Sequence, residues 1–77
     1  MGILNPVALE VQDALTAREL EVLRHIAFGL SDKEVAHRLH VSPTTVHKYA
    51  GRVYAKLGAH NRVGAVVTAL RQGLLQL

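Results

Sequence analysis

The sequence predicts an all-α fold, a compact domain of four short helices. Three observations predict it. Thr16, Ser31, Ser42 and Asn61 each stand just before a stretch of helical apolar spacing, where a side-chain oxygen can cap the free backbone N–H groups. Gly29, Gly58 and Gly73 stand where such stretches end. The one alternating run, Val7, Leu9 and Val11, is too brief for a strand. Seventy-seven residues make one small domain, and with no cysteine its stability must come from an aliphatic core.

Residues 1–14 carry Pro6 and no start signal. They read as a linker or N-terminal arm, with at most a helical turn near 8–14, and the domain is expected over 15–77. Thr16 and Glu19 then form a capping box, with Leu15 and Leu20 spaced for a hydrophobic staple. Leu20, Leu23, Ile26, Ala27 and Leu30 continue as one stripe, so the first helix is expected over about 16–28. Ser31 and Glu34 form a second capping box, and Asp32 favours the positive end of the helix dipole. Val35, Ala36 and Leu39 face inward on this second helix, which ends near Leu39 or His40.

The third helix is the most informative. Ser42 caps it, Pro43 takes the first position, where a missing N–H costs nothing, and Gly58 suits the left-handed residue that ends it. Over 43–57, Val46, Ala50, Val53 and Leu57 share one face. The opposite face carries Thr44, Lys48, Gly51, Arg52 and Ala55, with His47 on its flank and no acid. Two short helices, a tight turn holding Val41, then a longer basic helix make a helix-turn-helix. Small residues permit close approach and cations meet phosphates and base edges, so this outer face suits a DNA major groove. A fourth helix follows Asn61 over Arg62 to Gln72, with Gly73 at its end. Val66, Ala69 and Leu70 form its core stripe. Val63, Val67 and Leu74 widen the apolar arc, so either the small core wraps this helix on two sides or Val63, Val67, Leu70 and Leu74 form a face for self-association.

Charge follows the same division. Residues 1–41 carry a net −2, while residues 42–77 hold five Lys or Arg and no acid, a net +5. The asymmetry points to a polyanion. With only three aromatics, base stacking on single strands is disfavoured. An anionic membrane surface fits poorly, because the cations do not share one amphipathic helix with bulky anchors. No apolar run reaches transmembrane length, and the N-terminus lacks the basic region of a signal peptide, so a cytoplasmic protein is expected. His37, His40 and His47 lack a carboxylate or thiolate at metal-site spacing, so no metal is expected. Nor does the chain offer a phosphate-binding glycine loop or a catalytic constellation. No enzyme activity, cofactor or small-molecule ligand is expected.

Over residues 15–74 the chain resembles the LuxR-type helix-turn-helix family, the C-terminal domain shared by NarL/FixJ response regulators, quorum-sensing regulators and GerE. The matching words are Leu15-Thr16-x-Arg18-Glu19-x-Glu21-Val22-Leu23, Gly29-Leu30-Ser31-x-Lys33-Glu34-Val35-Ala36 and Leu39-x-Val41-Ser42. Thr45-Val46, Lys56-Leu57-Gly58 and Asn61-Arg62 continue them. The resemblance implies a bacterial transcription regulator, part of a two-component system, that binds double-stranded DNA as a homodimer through its fourth helix, with RNA polymerase a candidate further partner. Base-reading positions of the family fall on His47 and Lys48, with Thr44 and Gly51 beside them. Many relatives have Lys at His47, a larger residue at Gly51 and His at Tyr49, so base preference does not transfer. Lys33, Thr45, Arg52, Lys56 and Arg62 are expected at phosphates; Thr45 could instead bond within the turn, and Lys56 could serve the helix end. Tyr49 is expected as packing at the rim. The alternatives are an interaction module that kept the fold without the DNA contacts, and a sigma-factor region-4-like domain. The Lys56-Leu57-Gly58 end and the fourth helix favour the LuxR-type reading over the latter. The chain is expected to be either a fragment of a two-domain regulator or a stand-alone member.

Overall fold

The computed structural model of the protein describes residues 14–76. They form α1 (Ala17–Ala27), α2 (Asp32–Leu39), α3 (Pro43–Leu57) and α4 (Arg62–Arg71), with no strand among the described residues. The expected helical turn near 8–14 and the linker before it lie outside the described residues, apart from a non-helical Ala14.

Each helix begins as its sequence predicts. Thr16 Oγ1 accepts from the Glu19 N–H at 3.1 Å, and the Glu19 carboxylate accepts from the Thr16 N–H at 2.9 Å. Ser31 and Glu34 repeat the exchange at 3.2 and 2.8 Å. Ser42 Oγ accepts from the Thr45 N–H, and Asn61 Oδ1 from the Gly64 N–H. The helix ends also share one device. Leu30, Val41, Ala59 and Leu74 each donate their N–H to the carbonyl five residues back, which closes the last turn around a left-handed residue. That residue is Gly29, Gly58 or Gly73 in three cases and His40, with φ 58°, in the fourth. The left-handed region costs a residue with a Cβ roughly 1–2 kcal/mol, so the turn of the helix-turn-helix is held in place by its surroundings.

Helix α3 is the centre of the packing: α1, α2 and α4 each lie against it, while α2 and α4 share no packed face and meet through the Asp32–Arg62 ion pair. Its first half joins Val46 and Ala50 to Val22, Ile26, Val35, Ala36 and Leu39. Its second half joins Val53 to Leu23, Ala69 and Leu75. Leu23, Val22, Val35, Val46 and Val53 are completely buried. Each contributes roughly 1.5–3 kcal/mol against an exposed side chain, so these five hold α3 by its inner stripe.

The structure corrects three details of the expected core. On α1 the stripe runs through Glu19, Val22, Leu23 and Ile26, with Leu20 and Leu30 only half-buried. On α4 the buried positions are Ala65 and Ala69 rather than Leu70, because small side chains let the helix approach closely; Leu70 remains 38% exposed. Beyond α4, the left-handed Gly73 turns the chain back and Leu75 enters the second cluster, a core residue the helical pattern did not include.

Candidate nucleic-acid interface

With Val46, Ala50 and Val53 buried, the rest of α3 must face outward. Thr44, His47, Lys48, Gly51 and Arg52 are all exposed, and the His47 side chain is 84% exposed. Geometry therefore brings the four expected base-reading positions onto one free surface. Gly51 is not needed by the domain itself: a Cβ built there meets nothing within 4 Å. A glycine inside an exposed helix costs about 1 kcal/mol against alanine, so this one leaves a gap on the face that a partner would approach. Arg52 lies over the Tyr49 ring at 5.8 Å, and Tyr49 in turn packs at the rim of the core, as expected. The stacking limits the freedom of the guanidinium without covering it.

The flanks are less simple. Lys33 is exposed on the first turn of α2. Thr45 is half-buried, and its hydroxyl shares a hydrogen bond with Ser42 Oγ at 3.0 Å, so it serves the turn. Lys56, expected at a phosphate, is engaged within the domain. Its ammonium donates to Glu19 Oε1 at 2.7 Å and to the Ala14 carbonyl at 3.2 Å, with its side chain only 26% exposed. The reason is Glu19, a carboxylate on the buried stripe of α1 that requires a cation. Burial alone would push the Glu19 carboxyl up; the Lys56 and Thr16 hydrogen bonds and the Lys56 charge outweigh it and hold it below 4.5. Arg62 is likewise engaged, donating to the Leu30 carbonyl and lying 3.6 Å from Asp32 Oδ1. It ties the start of α4 to the α1–α2 turn.

Asp32 has a role that sequence reasoning missed. Its second oxygen is 3.8 Å from His47 Nδ1, so one carboxylate faces a base-reading candidate and the Arg62 bridge together. A first-turn acid is accounted for by the helix dipole, and its contact with His47 depends on how α2 and α3 meet. Glu19 was legible in principle, since it falls on the same helical stripe as Val22, Leu23 and Ile26. On α4, Val63 is 72% exposed and Val67 40%, which leaves an apolar surface beside Leu70. Leu74, expected with them, instead packs half-buried against the second core cluster.

Residues 13–69 match the family of bacterial regulatory proteins, luxR family. The chain belongs to the LuxR family. It is 45% identical over 74 residues to "Probable transcriptional regulatory protein NarL" of Mycobacterium tuberculosis, covering 96% of this chain and 34% of that protein. It is 42% identical over 69 residues to "Uncharacterized transcriptional regulatory protein YxjL" of Bacillus subtilis, covering 90% of this chain and 32% of that protein. A "Nitrate/nitrite response regulator protein homolog" of Haemophilus influenzae is 45% identical over 60 residues, 78% of this chain and 29% of its own length. The LuxR-family chain thus spans about a third of the length of these relatives.

Proposed function

We propose that this domain binds duplex DNA sequence-specifically and so regulates bacterial transcription in the cytoplasm. In this reading α3 enters the major groove. Thr44, His47 and Lys48 face base edges, Gly51 admits the close approach, and Lys33 and Arg52 meet phosphates. The observation that carries it is the division of α3. One stripe is completely buried, while the opposite side offers small and cationic side chains and no acid. Family membership and the relatives' names as transcriptional regulators support the same reading. The exposed Val63, Val67 and Leu70 support a homodimer on DNA through α4. Lys56 and Arg62 act within the domain, holding α3 and α4 to α1 and α2.

Salt-titrated binding to mixed-sequence duplexes tests this. Each phosphate neutralised contributes about −0.9 to the slope of log K against log salt. Lys48→Ala should weaken binding at every salt concentration and blur sequence preference. Unchanged affinity and unchanged preference in that variant would remove α3 from the groove.

A further inference from the structure

A second surface lies where α1 and α2 end. The last turn of α1, the turn after it and the last turn of α2 enclose a concavity lined by Arg24, His25, Phe28, Leu30 and Arg38. Phe28 is 74% exposed, the largest of the exposed large apolar side chains among the described residues. Burying a Phe is favourable by roughly 1.5–3 kcal/mol, and aromatic and arginine side chains are enriched where proteins meet. Behind the Ser31 hydrogen bonds, the Arg38 charge helps hold the Glu34 carboxyl below its ordinary value, but no close ion pair fixes either arginine. Neither Arg24 nor Arg38 has an ion-pair partner within 4 Å among the described residues. The nearby carboxylates are occupied: Glu21 pairs with Arg18 at 3.1 Å, and Glu34 Oε1 accepts from the Ser31 N–H.

Geometry separates this surface from the duplex. α1 and α3 pack through Val22, Leu23 and Ile26 on one side and Val46, Ala50 and Val53 on the other. Their free faces consequently point in opposite directions, and Arg24 and Phe28 fall opposite the buried stripe of α1. A cationic rim around an apolar anchor, turned away from nucleic acid, complements carboxylates carried with a large apolar side chain. We propose that this corner docks an acidic, leucine- or aromatic-bearing segment of a second protein while the duplex occupies α3. The docking stands on the corner alone; only the simultaneous occupancy rests on the nucleic-acid reading.

The test is a titration of the isotope-labelled 77-residue chain with a synthetic peptide of alternating Asp, Glu and Leu, with and without saturating duplex. Amide shifts should centre on Arg24, His25, Phe28, Leu30 and Arg38 and persist with duplex bound. A poly-glutamate peptide should bind about tenfold more weakly, and Phe28→Ala should lose about tenfold in affinity for the leucine-bearing peptide. Replacing both Arg24→Glu and Arg38→Glu, with Phe28 intact, should abolish the shifts. Failure of the duplex to bind, with the corner shifts intact, would count against the nucleic-acid reading and leave the docking supported. Shifts centred on α3 and displaced by duplex would overturn the proposal, the peptide then acting as a nucleic-acid mimic. Absence of shifts, or equal affinity in Phe28→Ala, would also overturn it. So would peptide-free, concentration-dependent shifts at Phe28, which mean a second copy, or contacts to Phe28 from Leu4 or Val7, which mean the chain's own N-terminal segment.

Discussion

Lys48 and Lys56 lie eight positions apart on one helix, and their surroundings give them opposite duties. Lys48 is exposed, so Lys48→Ala should leave the urea midpoint almost unchanged while weakening duplex binding. Lys56 neutralises a carboxylate that is 2% exposed, so Lys56→Ala strands a buried charge. Breaking a fully buried pair costs roughly 3–5 kcal/mol; with Lys56 partly in solvent, a loss of about 2–3 kcal/mol is expected by equilibrium unfolding, with the DNA affinity of the folded domain little changed. The same pair sets a pH dependence. Glu19 and Glu34 are both held below 4.5, Glu34 chiefly by the Ser31 N–H. A depressed carboxylate pKa contributes stability that is present above the unfolded value and lost as pH falls through the folded one. Denaturation midpoints should therefore be level above about pH 5.5 and fall below it, with a shallower fall in Glu19→Gln. His40 makes a third test. Relieving its left-handed strain with His40→Gly should raise stability by about 1 kcal/mol, read from the thermal midpoint.

The elements were legible because their ends are chemically marked. Thr16, Ser31, Ser42 and Asn61 cap the helices as expected, and Gly29, Gly58 and Gly73 close three of them. His40 was not legible as a left-handed residue, since nothing in a histidine announces it. The outer face of α3 followed from helical period alone. The partners of Lys56 and Arg62 did not, because they depend on how separate helices meet: Glu19 is 37 positions from Lys56, and Leu30 is 32 from Arg62. The wide apolar arc of α4 leaves its sides ambiguous in sequence; in the structure the small Ala65 and Ala69 lie inward while Val63 and Val67 are exposed. Since Val67 is 40% exposed, Val67→Glu should leave the fold intact while weakening cooperative binding to two-site duplexes. Loss of fold in that variant would place Val67 in the core instead.

At the scale of the whole molecule, α3 is both the hub of the core and the outward-facing helix, so folding itself presents the basic surface. No described helix is long and apolar enough to cross a membrane. The acids of the domain stay on α1 and α2, where Glu19 pairs with Lys56 and Asp32 lies against Arg62 and His47. What remains free on the side of α3 is cationic and small. The most direct test of the central claim is an amide-shift map of the labelled chain on adding a mixed-sequence duplex at low salt. The largest changes should fall on Thr44, His47, Lys48, Gly51 and Arg52, and Phe28 and Arg24 should stay still. A map centred on α1 or α4, with the outer face of α3 unchanged, would contradict it.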